Sequence, residues 1–430
     1  MLYNKKLAIA IIFSILILAS LFFSLYGISN KTDQGVLIKS DMNLIYYIPE
    51  KSISILSNST ETIVLENGNE YQINGLESNY ACSYKNDYIG ISGYYKNNPS
   101  LTILYDNGTY SIYELKLENP PTSIYCLNNE IIFSGINPLY PYIGFINFNN
   151  TSSNTIPIYM DSIYFGTPSE IHLFNNTEFL TFNNNYIIVY DENKSYFIEY
   201  PNSTSIYNMY IYNGKIYIIG SININGSTYG LVSPLFGNYS YTIGLNNYQG
   251  FIEVGADKLH GYSLLYRPYV TFAYLITVTQ NKYLYTALIG MSYPFTLYNE
   301  GSYNKGIWLT GSMNISNQNY QVGLYINGTI NGNIGYKPSI AYIVTSIPIV
   351  SKGFMYTTNT SFKVNSLNTT KINISFNKIF GNSIKTSSIN VIYLNFVVNR
   401  YIIFGEYTFI SILIGLVIYC VLAKSYKWSC

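Results

Sequence analysis

Apolar positions follow two patterns along this chain. At each end lies a nearly unbroken apolar run, Leu7–Ile28 and Tyr407–Ala423, the second extendable back to Ile402. Between them, apolar and polar positions alternate in short stretches separated by turn residues. A bilayer core takes about 20 apolar residues in helical form, and backbone in lipid must satisfy its own hydrogen bonds. Both end runs therefore predict membrane helices. Lys5 and Lys6 precede the first, and Lys424 and Lys427 follow the second. Basic flanks stay on the cytoplasmic side, so both ends point inward and the middle of the chain lies outside. Residues 1–30 read as an N-terminal anchor or a cleaved signal peptide, since Ser24, Gly27 and Ser29 supply small residues for cleavage. Residues 401–424 read as a transmembrane helix and 425–430 as a short cytoplasmic tail. Glu406 sits near the outer interface of that helix, where an acidic residue usually has a partner.

The middle of the chain has strand rather than helix periodicity, so it predicts an all-β domain. ILYDNGTYSIYEL (103–115) and MYIYNGKIYIIG (209–220) each centre on Asn-Gly, which accepts the positive φ angles of a tight hairpin turn. Self-similar segments begin at Ser78, Ser123, Ser162 and Ser205. A later echo links KIYIIGSININGSTYGLV (215–232) to KGIWLTGSMNISNQNYQVGL (305–324), with HGYSLLYRPYVTFAYLITV (260–278) in the skipped unit. A period of about 44 residues is that of propeller blades. The expected fold is a β-propeller of about six to seven blades over residues 36–359, flanked by N- and C-terminal membrane helices. Residues 360–400 are expected to be closing strands or a membrane-proximal β stalk. A pair of β-sandwiches is the alternative.

Charge narrows the function classes. There are 23 Lys plus Arg against 22 Asp plus Glu, and charged residues make up 10% of the chain. No basic field for nucleic acid exists. Few carboxylates also means little to lose on protonation, which predicts tolerance of an acidic exterior. Fifteen N-x-S/T triplets occur. The glycosylation candidates are Asn58, Asn107, Asn149, Asn193, Asn202, Asn225, Asn238, Asn314, Asn327 and Asn373. Cys420 lies in the second apolar run and Cys430 ends the chain, leaving Cys82 and Cys126 for a disulfide in an oxidising exterior or for two buried thiols.

In its Tyr, Asn, Ile and Ser richness, its sequons and its Asn-Gly repeat, the chain resembles β-propeller surface glycoproteins of thermoacidophilic archaea. The resemblance implies an outward-facing envelope protein and assigns no functional residue.

Candidate chemistry is sparse. His172 and His260 are the only histidines, and no clustered Cys or H-x-E pattern completes a metal site. Asp41, Asp87, Asp106, Asp161, Asp191 and Asp257 are spread along the repeat, and turn chemistry explains Asp106 and Asp191. No G-x-S-x-G elbow or Gly-rich phosphate loop is present. No catalytic, metal or cofactor site follows. The 49 Tyr suit strand positions; LYPYIGF (139–145) and LLYRPYVTFAY (264–274) are candidate contact surfaces. The expected function is a binding or scaffolding module of the cell envelope, with the membrane and envelope proteins or surface glycans as partners. The alternatives are an extracellular carboxylate-dependent hydrolase and an accessory subunit of a membrane complex.

Overall fold

A computed structural model describes residues 34–398 apart from short connecting stretches, most of them between 246 and 352. For the strands within 253–291 and 334–359 it describes the backbone alone. The two apolar runs and Glu406 lie outside the described residues, as do the predicted 1–30 segment, the 401–424 helix and the 425–430 tail. Among the described residues no helix is long and apolar enough to cross a membrane. The described chain is all-β.

Strand β1 (Gln34–Lys39) comes first, and seven antiparallel units follow. Unit one is β2 (Asn43–Ile48), β3 (Ile53–Ser57), β4 (Glu61–Glu66) and β5 (Asn69–Asn74). Unit two is β6 (Leu76–Tyr84), β7 (Tyr88–Tyr95), β8 (Asn98–Tyr105) and β9 (Thr109–Leu115). Unit three is β10 (Ser123–Leu127), β11 (Glu130–Ile136), β12 (Pro141–Asn147) and β13 (Thr155–Asp161). Unit four is β14 (Glu170–Phe174), β15 (Thr177–Thr181), β16 (Tyr186–Tyr190) and β17 (Tyr196–Glu199). Unit five is β18 (Thr204–Tyr212), β19 (Lys215–Ile224), β20 (Ser227–Pro234) and β21 (Tyr239–Leu245). Unit six is β22 (Glu253–Ala256), β23 (His260–Tyr266), β24 (Phe272–Thr279) and β25 (Leu284–Met291). Unit seven is β26 (Phe295–Tyr303), β27 (Gly306–Ile315) and β28 (Gln318–Asn327), with β1 as its fourth strand.

The remaining strands are β29 (Ile334–Lys337), β30 (Ala341–Pro348), β31 (Gly353–Asn359), β32 (Lys363–Ser366), β33 (Thr369–Asn382), β34 (Ile384–Thr386) and β35 (Val391–Val398). They do not stand off as a stalk. They form a belt that adds a fifth antiparallel strand to each unit in reverse chain order. β30 pairs with β25, β31 with β21 and β32 with β17. β33 is long enough to serve two units, pairing with β13 through Thr369–Ser375 and with β9 through Phe376–Asn382. β34 pairs with β5, and β35 with β1. An open sheet edge invites pairing with other chains, and the belt covers the outer edge of every unit.

The repeat read from sequence maps onto these units. The two linked echoes are β19–β20 and β27–β28, equivalent strands of units five and seven, with unit six between them. Residues 162–164, which open the segment starting at Ser162, lie outside the described residues; the described strand of that segment is β14, starting at Glu170. The glycine closing the repeats at Gly93 and Gly220 has a steric cause. β6 bulges between Ser78 and Tyr80, and β18 between Ile206 and Asn208. A Cβ at Gly93 would lie 1.9 Å from the Glu77 carbonyl oxygen, and one at Gly220 1.8 Å from that of Ser205. Each bulge pushes backbone into space that only glycine leaves open.

Apolar side chains pack between neighbouring units. One cluster joins units two and three through Leu101, Tyr113, Ile131, Phe133 and Tyr142. Another joins units three and four through Ile132, Ile143, Phe165, Ile188 and Leu367. Tyr47, Tyr142, Tyr200 and Tyr325 are fully buried, so part of the Tyr richness is core packing. Cys82 and Cys126 form a disulfide across the first strands of units two and three, with Cα atoms 5.7 Å apart.

Units seven and one are joined by an apolar cluster that includes Val36, Tyr47, Trp308 and Tyr325, and by polar contacts. Buried Gln321 on β28 accepts a hydrogen bond from Leu44 N at 3.2 Å and donates one to Ser40 O at 3.4 Å. Asn299 on β26 donates to Ile45 O at 3.1 Å, and Tyr46 meets Trp308 edge to face at 5.2 Å.

Candidate functional site

A cleft of about 1130 Å³ opens between units three and four. Four segments build it. The β10–β11 turn supplies Leu127 and Glu130, with Ile132 and Phe145 behind it on β11 and β12. The β14–β15 turn supplies Leu173, Asn176 and Glu178. The β16–β17 connection supplies Tyr190, Asp191, Lys194 and Tyr196. The belt crosses the outer end from β32 to β33, contributing Leu367 and Asn368.

Each wall is held in place. Tyr88 on β7 directs its hydroxyl at the carbonyls of Leu127, 2.6 Å, and Glu130, 2.8 Å, and so fastens the β10–β11 turn from the neighbouring unit. Asn175 and Asn176 both have positive φ, 49° and 61°, as a two-residue hairpin turn requires. Leu367 N donates to Ser195 O at 2.9 Å while the Leu367 side chain is buried in the cluster below.

The cleft is amphipathic. Aromatic and aliphatic surface comes from Phe145, Tyr190, Tyr196 and Leu173, and three carboxylates, Glu130, Glu178 and Asp191, share it with Lys194. Burial pushes the Glu130 carboxyl above its ordinary value. Among the described residues no group of three or more His, Cys, Asp or Glu is arranged to hold a metal ion.

Of the residues singled out in the sequence, Asp191 and Phe145, the last residue of LYPYIGF, fall in this cleft. Asp41, Asp87 and Asp106 are exposed and separate, in the β1–β2, β6–β7 and β8–β9 connections. Asp161 ends β13 opposite Thr369. Asp257 lies outside the described residues, and only the backbone of His260 is described, paired with Thr279. Glu130 and Glu178 carry no motif; their convergence depends on packing of units 47 residues apart in first-strand position (Ser123 against Glu170). In LYPYIGF, Leu139 and Tyr140 are exposed at the β11–β12 turn whereas Tyr142 is buried. Residues 267–271 of LLYRPYVTFAY lie outside the described residues.

His172 on β14 has a different role. Its Nε2 lies 3.3 Å from Glu170 Oε2 but makes no hydrogen bond there. Burial lowers the imidazole pKa to about 4, so at neutral pH the contact is not an ion pair. The unfolded chain then binds a proton that the folded chain refuses between about pH 6.5 and 4, and stability falls as pH falls through that window. With a fifth of the side chain still reached by water, the loss is about 2 kcal/mol. His172→Gln should flatten this part of the stability curve, measured by denaturant unfolding from pH 7 to pH 4. A slope equal to that of the parent protein would show that His172 is not responsible.

Eight sequon asparagines have described side chains. Asn107, Asn175, Asn202, Asn225, Asn314, Asn368 and Asn373 are exposed, and Asn58 is half-buried. Asn58 Oδ1 accepts from the Thr60 hydroxyl at 2.9 Å, and Asn107 Oδ1 from the Thr109 hydroxyl at 2.6 Å. Asn149, Asn193 and Asn238 lie outside the described residues, and only the backbone of Asn327 is described.

No family model matches the chain, and no curated protein does. Among solved structures, the computationally designed Ika8 protein is similar over 71% of this chain and 97% of its own, at 8% identity and a TM-score of 0.39. The AfRom2 CNH domain is similar over 66% of this chain and 94% of its own, at 9% identity and a TM-score of 0.37. Hsv2p of Kluyveromyces lactis is similar over 56% of this chain and 90% of its own, at 10% identity and a TM-score of 0.28. These likenesses are too slight to transfer fold or function.

Proposed function

We propose that this chain is a membrane-anchored, glycosylated β-propeller of seven blades that binds glycans of the cell envelope in the cleft between its third and fourth blades. Closure of the ring is supported by a circuit of contacts. β2 meets β6, β6 meets β10, β10 meets β14, β15 meets β18, β18 meets β22, β22 meets β26, and β26 meets β2. β1 as the fourth strand of unit seven closes the last blade with the start of the chain. The flanking apolar runs support anchoring with the propeller outside, and the exposed sequons support glycosylation.

The cleft carries the binding reading. Sugars present alternating apolar faces and hydroxyl edges. Tyr196 and Phe145 offer stacking surface, and Glu130, Glu178 and Asp191 offer acceptors for hydroxyl groups. The size suits an oligosaccharide rather than a single ring. Calorimetric titration of the full-length protein in nanodiscs with neutral oligosaccharides should give saturable binding. Tyr196→Ala and Glu130→Gln should each weaken it about tenfold, the loss of one stacking face or one charged acceptor. Binding that is indifferent to both substitutions would place the site elsewhere.

The raised Glu130 among two further carboxylates favours one second reading, a hydrolase in which Glu130 is the proton donor. Release of reducing ends from the same oligosaccharides near pH 5, abolished in Glu130→Gln, would establish it; binding without turnover leaves the glycan-binding reading.

A further inference from the structure

We infer that Asn368 carries an N-linked glycan and that this glycan, borne on the chain's own belt, occupies the cleft between units three and four. This rests on the glycan-binding reading above and names the sugar in the cleft. Asn368-Thr369-Thr370 is an N-x-S/T triplet, and Asn368 and Thr369 both line the cleft. Asn368 is exposed, so its amide is open to modification. Its neighbours hold it in place. Leu367 is buried in the cluster below, and its N–H donates to Ser195 O at 2.9 Å. Thr369 and Thr370 are paired with Asp161 and Met160 on β13. A sugar attached at Asn368 therefore starts inside the cleft, in the same hollow as Phe145 and Tyr196. A second triplet, Asn175-Asn176-Thr177, stands on another wall, where Asn175 is exposed and Asn176 lines the cleft.

The donor is a lipid-phosphate-linked oligosaccharide, transferred by an enzyme of the host. Asn368 Nδ2 forms a bond to the anomeric carbon of the sugar, the bond from that carbon to the lipid phosphate breaks, and the amide proton leaves with the released phosphate. The cleft lining selects the kind of glycan. Glu130, Glu178 and Asp191 face one cation, Lys194, and like charges brought together repel, so the glycan is neutral. Its apolar faces lie on Phe145 and Tyr196, and its hydroxyls donate to the carboxylates. A ligand tethered at the site acts at an effective concentration on the order of millimolar. A free oligosaccharide must displace it, which weakens the apparent affinity about tenfold.

Glycopeptide mass spectrometry and calorimetry on the full-length protein from its native host, in nanodiscs, test this. The probe is the oligosaccharide released by hydrazine from the parent protein. Thr370→Ala destroys the triplet and leaves every lining residue in place. Asn368→Gln destroys it by a second route, and Thr109→Ala removes the exposed triplet of Asn107 in unit two as a control for glycan loss elsewhere. The spectra should show a neutral glycan on Asn368. Thr370→Ala and Asn368→Gln should each bind the probe about tenfold more tightly than the parent, and Thr109→Ala should bind it as the parent does. An unmodified Asn368, an acidic glycan on it, or equal affinities for parent and Thr370→Ala would overturn the inference; binding still weakened by Tyr196→Ala would then leave the glycan-binding reading standing. No binding of the probe by the parent or by Thr370→Ala would overturn that reading and the inference together.

Discussion

Replacing both Cys82 and Cys126 by serine is expected to lower the free energy of unfolding by about 4 kcal/mol. The two cysteines are 44 residues apart in sequence. A crosslink closing a loop of that size removes about 4 kcal/mol of conformational freedom from the unfolded chain in the loop-entropy view. The bridge also has a dedicated space. A Cβ at Gly90 would lie 3.0 Å from Cys126 Sγ, 3.1 Å from Cys82 Sγ and 2.8 Å from Ile131 Cδ1. The position opposite Cys82 in the ladder is therefore empty so that the bridge and Ile131 can fill it. Denaturant unfolding of the parent, the reduced parent and the double serine variant should give one high and two low midpoints. Equal midpoints for all three would mean that the neighbouring core alone holds units two and three together.

Glu70→Ala is expected to cost a similar amount, about 4 kcal/mol, and to act on the belt. Glu70 is buried on β5. Its Oε1 accepts from the hydroxyls of Thr386 and Ser388, the latter at 3.0 Å, and Oε2 accepts from Ile389 N at 3.2 Å. These three donors lie where the belt turns from β34 toward β35. Hydrogen bonds to a charged acceptor contribute more than neutral ones, and truncation also strands the donors. Burial raises the carboxyl pKa, but the bonds from Thr386, Ile389 and Ser388 outweigh it and hold the group below its ordinary value. The stabilisation is therefore present above the unfolded value of about 4.5 and is lost as pH falls through the lower folded value. Glu70→Gln should remove that acid dependence. Hydrogen exchange in the alanine variant should rise first in residues 384–398. Uniform exchange across all units would show that the belt does not open separately.

Glu70 and His172 also qualify the acid tolerance expected from composition. Few carboxylates do reduce the general cost of protonation. Yet one buried imidazole held neutral and one buried carboxylate held charged both make the fold less stable as pH falls, in adjoining windows. Which individual groups are buried matters more here than how many exist.

Tyr88, Gln321 and Asn299 show why parts of the architecture escaped sequence reading. Each ties its own unit to a backbone group of a neighbour, and nothing in its local sequence marks the partner. The hairpins were more legible. Asn67–Gly68 and Asn225–Gly226 have the paired positive φ angles that their dipeptide implies, whereas at Asn107–Gly108 only the glycine does, and Asn213–Gly214 lies outside the described residues. Equivalent turns at Lys96–Asn97 and Ser316–Asn317 reach the same geometry without glycine, because asparagine and the closing strands tolerate it, and these were invisible. The belt was hidden for a related reason. Its strands alternate like any others, but their partners lie up to 361 residues away, as where Asn395 stands opposite Gln34.

The sequence by itself determined the strand character, the repeat with its turn residues and glycines, and the apolar flanks, because each is set by residues close together along the chain. The tertiary structure alone decided the rest. Outer edges of seven units are covered by one returning belt, Glu130 and Glu178 are brought to Asp191, and Gln34 is set against Asn395. Those juxtapositions arise from packing and ladder register between distant segments, and no local pattern encodes them.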